Sequence, residues 1–282
     1  GHGVRIFRVD NPHTKPFAFW DWCIADIRSR HPDVLFLAEA FTRPKVMHTL
    51  AALGFSQSYT YFTWRTAAWE LREYGTQLSQ EEGADYFRPN FWPNTPDILS
   101  GPLRNGTPSA FRLRATLAAT MSPNWGMYSG YELCENQPAS ATNEEYLHSE
   151  KYQLCRRNWD EADSIANHIT ALNTARRSHP SLAELRTLRF HGSTNDDNLV
   201  VYSKTTPDGG DPVLVVVNID PDNAHEGLLR LDLNLLGIPW SGPYEALDEL
   251  TGEAYVWHGA EPFVRLDPHD GRESHVFALR AL

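Results

Sequence analysis

Short β-branched and aromatic runs alternate with longer amphipathic stretches through the chain as far as Arg177, and this alternation limits the fold most strongly. Strands and helices that follow each other at this spacing are typical of parallel βαβ units. Five such units can be counted, whereas a closed (β/α)8 barrel usually takes about 250 residues for eight. The pattern predicts an α/β fold that contains the C-terminal part of a (β/α)8 TIM barrel.

The strand-like runs are rich in Val, Ile, Leu and Phe, which is typical of parallel strands buried on both faces. The predicted strands lie in Val4–His13, Val34–Ala38, Ser56–Phe62, Asp85–Phe91 and Asn124–Ser129, and the predicted helices are Pro16–Arg30, Pro44–Gly54, Thr66–Tyr74, Ser109–Thr120 and Asp163–Arg177. A buried strand needs neighbours on both sides, yet the first strand follows Gly1 almost at once. We therefore expect a fragment whose remaining barrel units, about three, belong to an upstream portion of the same or a separate chain.

The pattern changes at His179-Pro180, where short strand-like runs begin to alternate with turns rich in Pro, Gly, Asp and Asn. The predicted strands are Leu188–Phe190, Leu199–Ser203, Val213–Ile219, Leu228–Leu233, Tyr244–Asp248 and His275–Leu279. Closely spaced short strands of this kind indicate an antiparallel β-sandwich. We therefore divide the chain into a barrel portion, residues 1–178, and a β-sandwich domain, residues 179–282.

Composition excludes several classes of partner. The net charge is −11, and Lys and Arg form no cluster, which argues against nucleic acid and anionic membranes as partners. Three cysteines without disulfide or zinc spacing favour a reducing cytoplasm. No apolar stretch reaches about 18 residues, and no His-Glu-x-x-His pattern occurs, so neither a membrane span nor that type of metal site is predicted.

Acidic residues mark the ends of the predicted barrel strands. Asp10 and Glu39 end consecutive strands, and Asp97 lies on the loop after the fourth. Active sites of α/β barrels lie at this edge of the sheet. Arg8, two residues before Asp10, shares its strand face and can keep it ionised, while the apolar neighbours of Glu39 favour a general acid. A lone acid at such a position is as readily a helix cap, but two at successive strand ends favour catalysis.

Five segments carry a resemblance to a known family. Phe7–His13 (FRVDNPH), Phe36–Phe41 (FLAEAF) and Asn94–Asp97 (NTPD) resemble the second, third and fourth conserved regions of the α-amylase superfamily, glycoside hydrolase family thirteen. Ser58–Arg65 (SYTYFTWR) and Tyr128–Asn136 (YSGYELCEN) are similar to its subgroup of maltosyltransferases, which use maltose 1-phosphate to elongate α-1,4-glucans. Pro96-Asp97 stands where amylases usually carry His-Asp, which points away from a simple hydrolase.

The resemblance implies a role for each matching residue. Asp10 would be the nucleophile, Glu39 the acid/base and Asp97 the stabiliser of the transition state. Four further residues would bind substrate: Arg8, Asn11, Lys151 and Tyr152. Of these, Arg8 would orient the nucleophile, Asn11 would contact the donor phosphate, and Lys151 with Tyr152 would bind the far glucose; a loop salt bridge with a packed ring is the alternative for that last pair.

The resemblance also implies partners. These are maltose 1-phosphate and an α-1,4-glucan, together with a homodimer of the complete enzyme and no cofactor or metal. Glu132, Glu135 and Asn136 line the donor subsites or are solvated loop residues, and they stay unassigned. Two alternatives remain open: an α-glucan hydrolase or transglycosylase on the same scaffold, and a non-catalytic portion whose exposed sheet edge binds another chain.

Overall fold

A computed structural model describes residues 2–147, 149 and 154–282. In the first part of the chain, strands alternate with helices. The strands are β1 (Ile6–Asp10), β2 (Leu35–Glu39), β3 (Gln57–Tyr59), β4 (Pro89–Phe91) and β5 (Asn124–Trp125), and the helices are α1 (Phe17–Arg30), α2 (Pro44–Ala52), α3 (Ala68–Gln80), α4 (Pro108–Met121) and α5 (Ala166–Ser178). This order confirms the prediction of five βα units.

The five strands form one parallel sheet in the order of the sequence, β1-β2-β3-β4-β5. Strands β1 and β2 pair along their full length, and Asp10 lies directly opposite Glu39. Because parallel strands all end at the same edge of a sheet, the loops that follow them converge there. The register therefore brings both predicted catalytic carboxylates to one edge, on neighbouring strands.

The prediction that the first strand is buried is wrong. Ile6 is 58% exposed and Phe7 is 43% exposed, and Val4, just before the strand, is also largely exposed. The physical reason is that β1 is the edge strand of the sheet and, within the described part of the chain, pairs with β2 alone. Phe7 keeps one aromatic contact, with the ring of Phe36 stacked 6.0 Å away. An apolar strand edge thus remains open on the side away from β2.

The third strand is shorter than predicted, because a 3-10 helix replaces its second half. Thr60 ends the extended segment, and its hydroxyl accepts a hydrogen bond from the Phe62 N–H, which caps that helix. Arg114 of α4, which is only 2% exposed, contacts this 3-10 helix from the interior of the protein. Its guanidinium donates to the carbonyls of Phe62 and Arg65, at 2.7 Å each. The loop after β3 is consequently fixed by a buried cation.

The rest of the chain forms an eight-stranded antiparallel sheet with the strand order β11-β10-β13-β8-β7-β6-β9-β12. Its strands are β6 (Arg189–Ser193), β7 (Leu199–Lys204), β8 (Val213–Asn218), β9 (His225–Arg230), β10 (Pro243–Asp248), β11 (Ala254–His258), β12 (Phe263–Leu266) and β13 (Ser274–Ala281). Strand β6 pairs with β7 through its first half and with β9 through its second. The sheet bends at β6 and folds over itself as the predicted β-sandwich.

A core of apolar side chains fills the space between the two halves of this sheet. Its buried members include Val201 and Val216 on one side and Leu229 and Leu266 on the other. Two strands, β11 and β12, were not predicted. They are short and lie at the two edges of the sheet, and their outward residues include the exposed Val256 and Phe263. The alternation of exposed and buried residues over four or five positions is too brief to stand out from the turns around it.

The parallel and antiparallel parts share a second, larger core, in which residues of α3, α4 and α5 pack against β7, β8 and β13. A buried ion pair crosses the same contact. Glu273, 1% exposed, accepts hydrogen bonds from Ser109 Oγ at 2.7 Å and from Arg112 Nε at 2.8 Å.

The division of the chain into two domains at residue 178 stays a prediction. Within the part of the chain that the structure describes, no helix is long and apolar enough to cross a membrane.

His191 in β6 makes the stability of this sheet sensitive to acid. Burial lowers its pKa from 6.5 to about 4, and its Nδ1 accepts the Asp232 N–H, a bond that protonation destroys. The folded state therefore binds the proton less well than the unfolded chain, and stability falls as the pH drops from about 6.5 toward 4. We expect His191→Gln to remove up to about 1.4 kcal/mol of that loss per pH unit. Urea unfolding at pH 7, 6 and 5 gives the free energy of unfolding at each pH. If this free energy fell equally with pH in the wild type and in His191→Gln, His191 would not be the group responsible.

Candidate active site

Asp10 and Glu39 stand side by side at the carboxyl edge of the parallel sheet. They are the last residues of β1 and β2 and occupy matching register positions. Their environments differ sharply, since the side chain of Asp10 is 62% exposed and that of Glu39 is 9% exposed. Carboxyl groups in such contrasting surroundings suit different tasks, one as an ionised nucleophile and the other as a proton donor and acceptor.

Arg8 connects the two carboxylates. It lies two residues before Asp10, so both side chains leave β1 on the same face. One terminal nitrogen of its guanidinium donates to Asp10 Oδ2 at 3.3 Å, and the other lies 3.1 Å from Glu39 Oε1. We predicted from the sequence that Arg8 orients Asp10; the structure adds that Arg8 also pairs with Glu39.

Asn11 completes the group through both its backbone and its side chain. The backbone of Asn11 adopts the left-handed helical conformation, with φ at 46° and ψ at 50°. The turn directs the Asn11 N–H to the Glu39 carbonyl at 3.1 Å and toward Glu39 Oε2 at 3.4 Å. The side-chain amide donates to Asp10 Oδ1 at 2.7 Å. Asp10 is therefore held by Arg8 on one oxygen and by Asn11 on the other.

The electrostatics of Glu39 reflect opposing effects. Burial raises its pKa above the usual value, and the negative charge of Asp10 acts in the same direction, whereas Arg8 and the Asn11 N–H act against them. The net direction is upward, as the apolar neighbours in the sequence predict. The pKa of Arg8 is also raised, because Glu39, Tyr59 and Asp10 together outweigh the opposing effect of burial. A raised carboxyl pKa is what a general acid near neutral pH requires.

Asp97 lies on the loop that follows β4, at the same edge of the sheet, and is half-buried. Thr95 and Ile98 form an isolated antiparallel bridge around it, and its N–H donates to Thr95 Oγ1 at 3.3 Å. Asn94, fully buried, anchors the start of this loop by accepting the Tyr128 N–H at 2.9 Å. The loop that carries the third acid is therefore tied to the segment after β5.

Two aromatic residues next to this group were not predicted to belong to the site. Tyr59, the last residue of β3, is 4% exposed, and the guanidinium of Arg8 lies 5.8 Å from the centre of its ring. Trp92, just after β4, stacks on Tyr59 with the ring centroids 4.9 Å apart. The place of Tyr59 in the motif SYTYFTWR was the one available signal, because the predicted strand Ser56–Phe62 put this residue in the middle of a strand and not at its end.

Lys151 and Tyr152, predicted to bind the far glucose, lie outside the described residues. The three unassigned loop residues make contacts of their own. Glu135 forms an ion pair with Arg157, with Nε 2.6 Å from Oε1. Glu132 Oε2 accepts the Gly130 N–H at 3.1 Å, and Asn136 Nδ2 donates to the carbonyl of Gly106 at 2.8 Å. In the structure, these three side chains stabilise the loop after β5. Among the described residues, no cluster of three or more His, Cys, Asp or Glu is arranged to hold a metal ion.

Sequence comparisons relate the chain to one group of enzymes. The family model "GLGE, C-terminal" matches residues 190–279. The chain is 57% identical to α-1,4-glucan:maltose-1-phosphate maltosyltransferase 2 of Streptomyces coelicolor, over 99% of this chain and 41% of that protein. It is 52% identical to the maltosyltransferase of Mycolicibacterium smegmatis, over 95% of this chain and 38% of that protein. The chain thus spans about two fifths of the length of these relatives.

Comparison with solved structures supports the fold. An α-amylase of Geobacillus thermoleovorans, in complex with acarbose, superposes with a TM-score of 0.70 at 16% identity, over 98% of this chain and 60% of that one. A γ-CGTase of alkalophilic Bacillus clarkii superposes with a TM-score of 0.69 at 17% identity, over 99% of this chain and 41% of that one. The architecture is accordingly that of part of an α-amylase-like barrel followed by a β-sandwich.

Proposed function

Along 95–99% of its length this chain is homologous to part of the α-1,4-glucan:maltose-1-phosphate maltosyltransferases, and from that homology we propose its function. The protein that contains it transfers maltosyl units from maltose 1-phosphate to the non-reducing end of an α-1,4-glucan and releases phosphate. The observation that carries this proposal is the single guanidinium of Arg8 that contacts both Asp10 and Glu39.

The pairing of the two carboxylates across neighbouring strands supports a retaining mechanism. Neighbouring parallel strands lie about 4.8 Å apart, and Asp10 and Glu39 are paired across such strands. Retaining glycosidases place their nucleophile and acid/base about 5–5.5 Å apart, whereas inverting enzymes need a wider gap for a water molecule. One guanidinium reaching both carboxylates favours the closer arrangement.

The proposed reaction has two inversions. In the first, Asp10 attacks the anomeric carbon of the donor, the bond to the phosphate oxygen breaks, and Glu39 gives its proton to the departing phosphate. A β-maltosyl ester on Asp10 results. In the second, Glu39 takes the proton of the acceptor 4-hydroxyl, whose oxygen displaces Asp10 and restores the α-linkage. Asp97 stabilises positive charge at the anomeric carbon, and Lys151 with Tyr152 binds the far glucose.

Asn11 is assigned to the donor phosphate, and substitution by Gly tests this without backbone strain. Gly adopts the left-handed conformation of Asn11 freely. We expect Asn11→Gly to raise KM for maltose 1-phosphate about tenfold, because a hydrogen bond to a charged group is lost. Steady-state kinetics with α-maltosyl fluoride, which lacks phosphate, should show a smaller loss, since only the support of Asp10 by Asn11 is then missing.

An equal loss with both donors would contradict the phosphate contact and leave Asn11 as a support for Asp10 alone. Asn105→Gly is the matched control. Asn105 is exposed and left-handed as well, with φ at 54°, and lies on the loop between β4 and α4. It should leave both donors unaffected.

The open edge of β1 supports a further proposal about partners. Beside it, a groove of about 610 Å³ is lined mainly by apolar residues that include Val4, Phe7 and Phe36. We propose that additional βα units, from the same polypeptide or from a separate chain, pair with β1 and complete the barrel. The complete enzyme is proposed to be a homodimer located in the cytoplasm, where three cysteines without disulfide spacing would stay reduced. We propose that this chain contributes two domains to the enzyme, the barrel portion of residues 1–178 and the β-sandwich of residues 179–282.

Product analysis of the complete protein tests the proposed activity. With maltose 1-phosphate and an α-1,4-glucan, phosphate should be released in step with glucan chains longer by two glucose units. An α-glucan hydrolase would instead use water to cleave the glucan and release maltose in the absence of maltose 1-phosphate. A disproportionating transglycosylase would redistribute glucan chains in the absence of maltose 1-phosphate. Either of those results would overturn the proposal.

A further inference from the structure

Tyr59 occupies a fixed position at the end of β3, beside the two strands that carry the carboxylates. Its side chain is buried, with Trp92 stacked on one side at 4.9 Å and an interplanar angle of 23°. Phe41 meets it edge-on at 6.2 Å. Gly126 leaves room for this arrangement, because a Cβ at that position would collide with the Trp92 ring. Close packing of this kind fixes the direction in which the phenol oxygen points.

The phenol meets the guanidinium that connects the carboxylates. Arg8 lies against Tyr59, with the central carbon of its guanidinium 5.8 Å from the centre of the ring, and the phenol raises the pKa of Arg8. Arg8 needs such a support. Its side chain is 36% exposed and leaves the open edge strand, so the two carboxylates are its other anchors among the contacts described above. A phenol is uncharged at neutral pH and can hold the guanidinium without competing for the charge of either acid.

We propose that Tyr59 is a positioning residue for the transfer reaction: packed against Trp92, it sets the orientation of Arg8 in which one guanidinium contacts both Asp10 and Glu39. This inference rests on the proposed function. Tyr59 acts through Arg8, and the chain of contacts runs from Gly126 through Trp92 and Tyr59 to the two acids.

The consequence for the reaction concerns the proton on Glu39. The charged and titratable groups that face Glu39 are Arg8 and Asp10 from β1 and Tyr59 from β3. Of these, Arg8 alone favours the ionised carboxylate. If Arg8 turns away, the Asn11 N–H is left, of the groups named above, to oppose burial and Asp10, and Glu39 holds its proton to higher pH. It then serves less well as the base of the second step.

Tyr59→Phe tests this in the complete protein, since it removes the phenol oxygen and keeps the stacked ring. We expect kcat to fall about tenfold, with KM changed less than about twofold, because the interaction of the phenol oxygen with the charged guanidinium is lost from a positioning contact. The titration midpoint of Glu39, followed by ¹³C NMR of labelled glutamate and assigned with Glu39→Gln, should move upward. Tyr74→Phe is the control, because its phenol is also buried but accepts the Tyr61 N–H, away from Arg8.

Arg8→Met separates action through Arg8 from a direct effect. In an Arg8→Met background, Tyr59→Phe should change neither kcat nor the Glu39 midpoint further, because the partner is already gone. An upward shift of the same size in both backgrounds, or no shift in either, would overturn the inference. The NMR titration needs no substrate, so it decides the role of Tyr59 even if the protein transfers no maltosyl group. Absence of transfer by the wild-type protein would in turn reject the proposed function alone.

Discussion

Asp10→Asn in the complete protein should lower kcat for maltosyl transfer by at least about 10⁴-fold, which is the scale of loss when a catalytic nucleophile is removed. The amide keeps the size of the carboxylate and can still contact Asn11, so the fold should survive. It cannot form the ester, because a neutral amide oxygen is a far weaker nucleophile than a carboxylate. Initial rates of phosphate release, measured with saturating donor and glucan, give the loss directly.

Asp26→Asn is the matched control for this substitution. Asp26 is an exposed acid on α1 that pairs with Arg30 one helical turn later. Exposed pairs of this type contribute little to stability, so transfer should stay within about twofold of the wild-type rate. If Asp10→Asn kept a tenth or more of the activity while folded, Asp10 would not be the nucleophile.

Glu39→Gln should slow transfer from maltose 1-phosphate by about 10²–10⁴-fold, the usual contribution of a general acid or base. The first step fails because the departing phosphate receives no proton. A donor with a good leaving group, such as α-maltosyl fluoride, does not need that proton, so its first step should stay fast. The second step still lacks a base, and the β-maltosyl ester should accumulate. Rapid-quench kinetics would show a burst of fluoride followed by slow turnover.

A matched control is Glu245→Gln, which breaks an exposed ion pair with Arg280 on the antiparallel sheet. It should show neither the loss nor the burst. If Glu39→Gln slowed phosphate and fluoride donors equally in the first step, the proton-transfer role would be wrong. Glu39 would then be needed only for its ion pair with Arg8.

The positions of Asp10 and Glu39 at neighbouring strand ends were predictable from the sequence because they depend on local features, whereas their catalytic roles stay a prediction. A buried strand pattern that ends in Asp10, followed by one βα unit and a second strand that ends in Glu39, determines that both lie at one edge of a parallel sheet. The structure adds the register, in which Asp10 and Glu39 lie directly opposite each other. Arg8 was likewise predictable, since a residue two positions earlier must share the face of the strand.

The role of Tyr59 could not be predicted in the same way. Its contact with Arg8 reaches from β3 across β2 to β1, and it depends on the stacking of Trp92 from β4. No pattern within one strand encodes such a contact. The exposure of β1 was missed for a related reason: apolar composition shows what a strand can bury, whereas its actual burial depends on which strands lie next to it.

The most direct test of the account is to trap the maltosyl ester and find the residue that carries it. Glu39→Gln protein is incubated with α-maltosyl fluoride, quenched in acid and analysed first as intact protein and then as peptides by mass spectrometry. The account predicts one added maltosyl group per protein, located on the peptide that contains Asp10 and absent when Asp10→Asn is combined with Glu39→Gln. A protein that turns over the fluoride without any adduct, or an adduct on another residue, would contradict it.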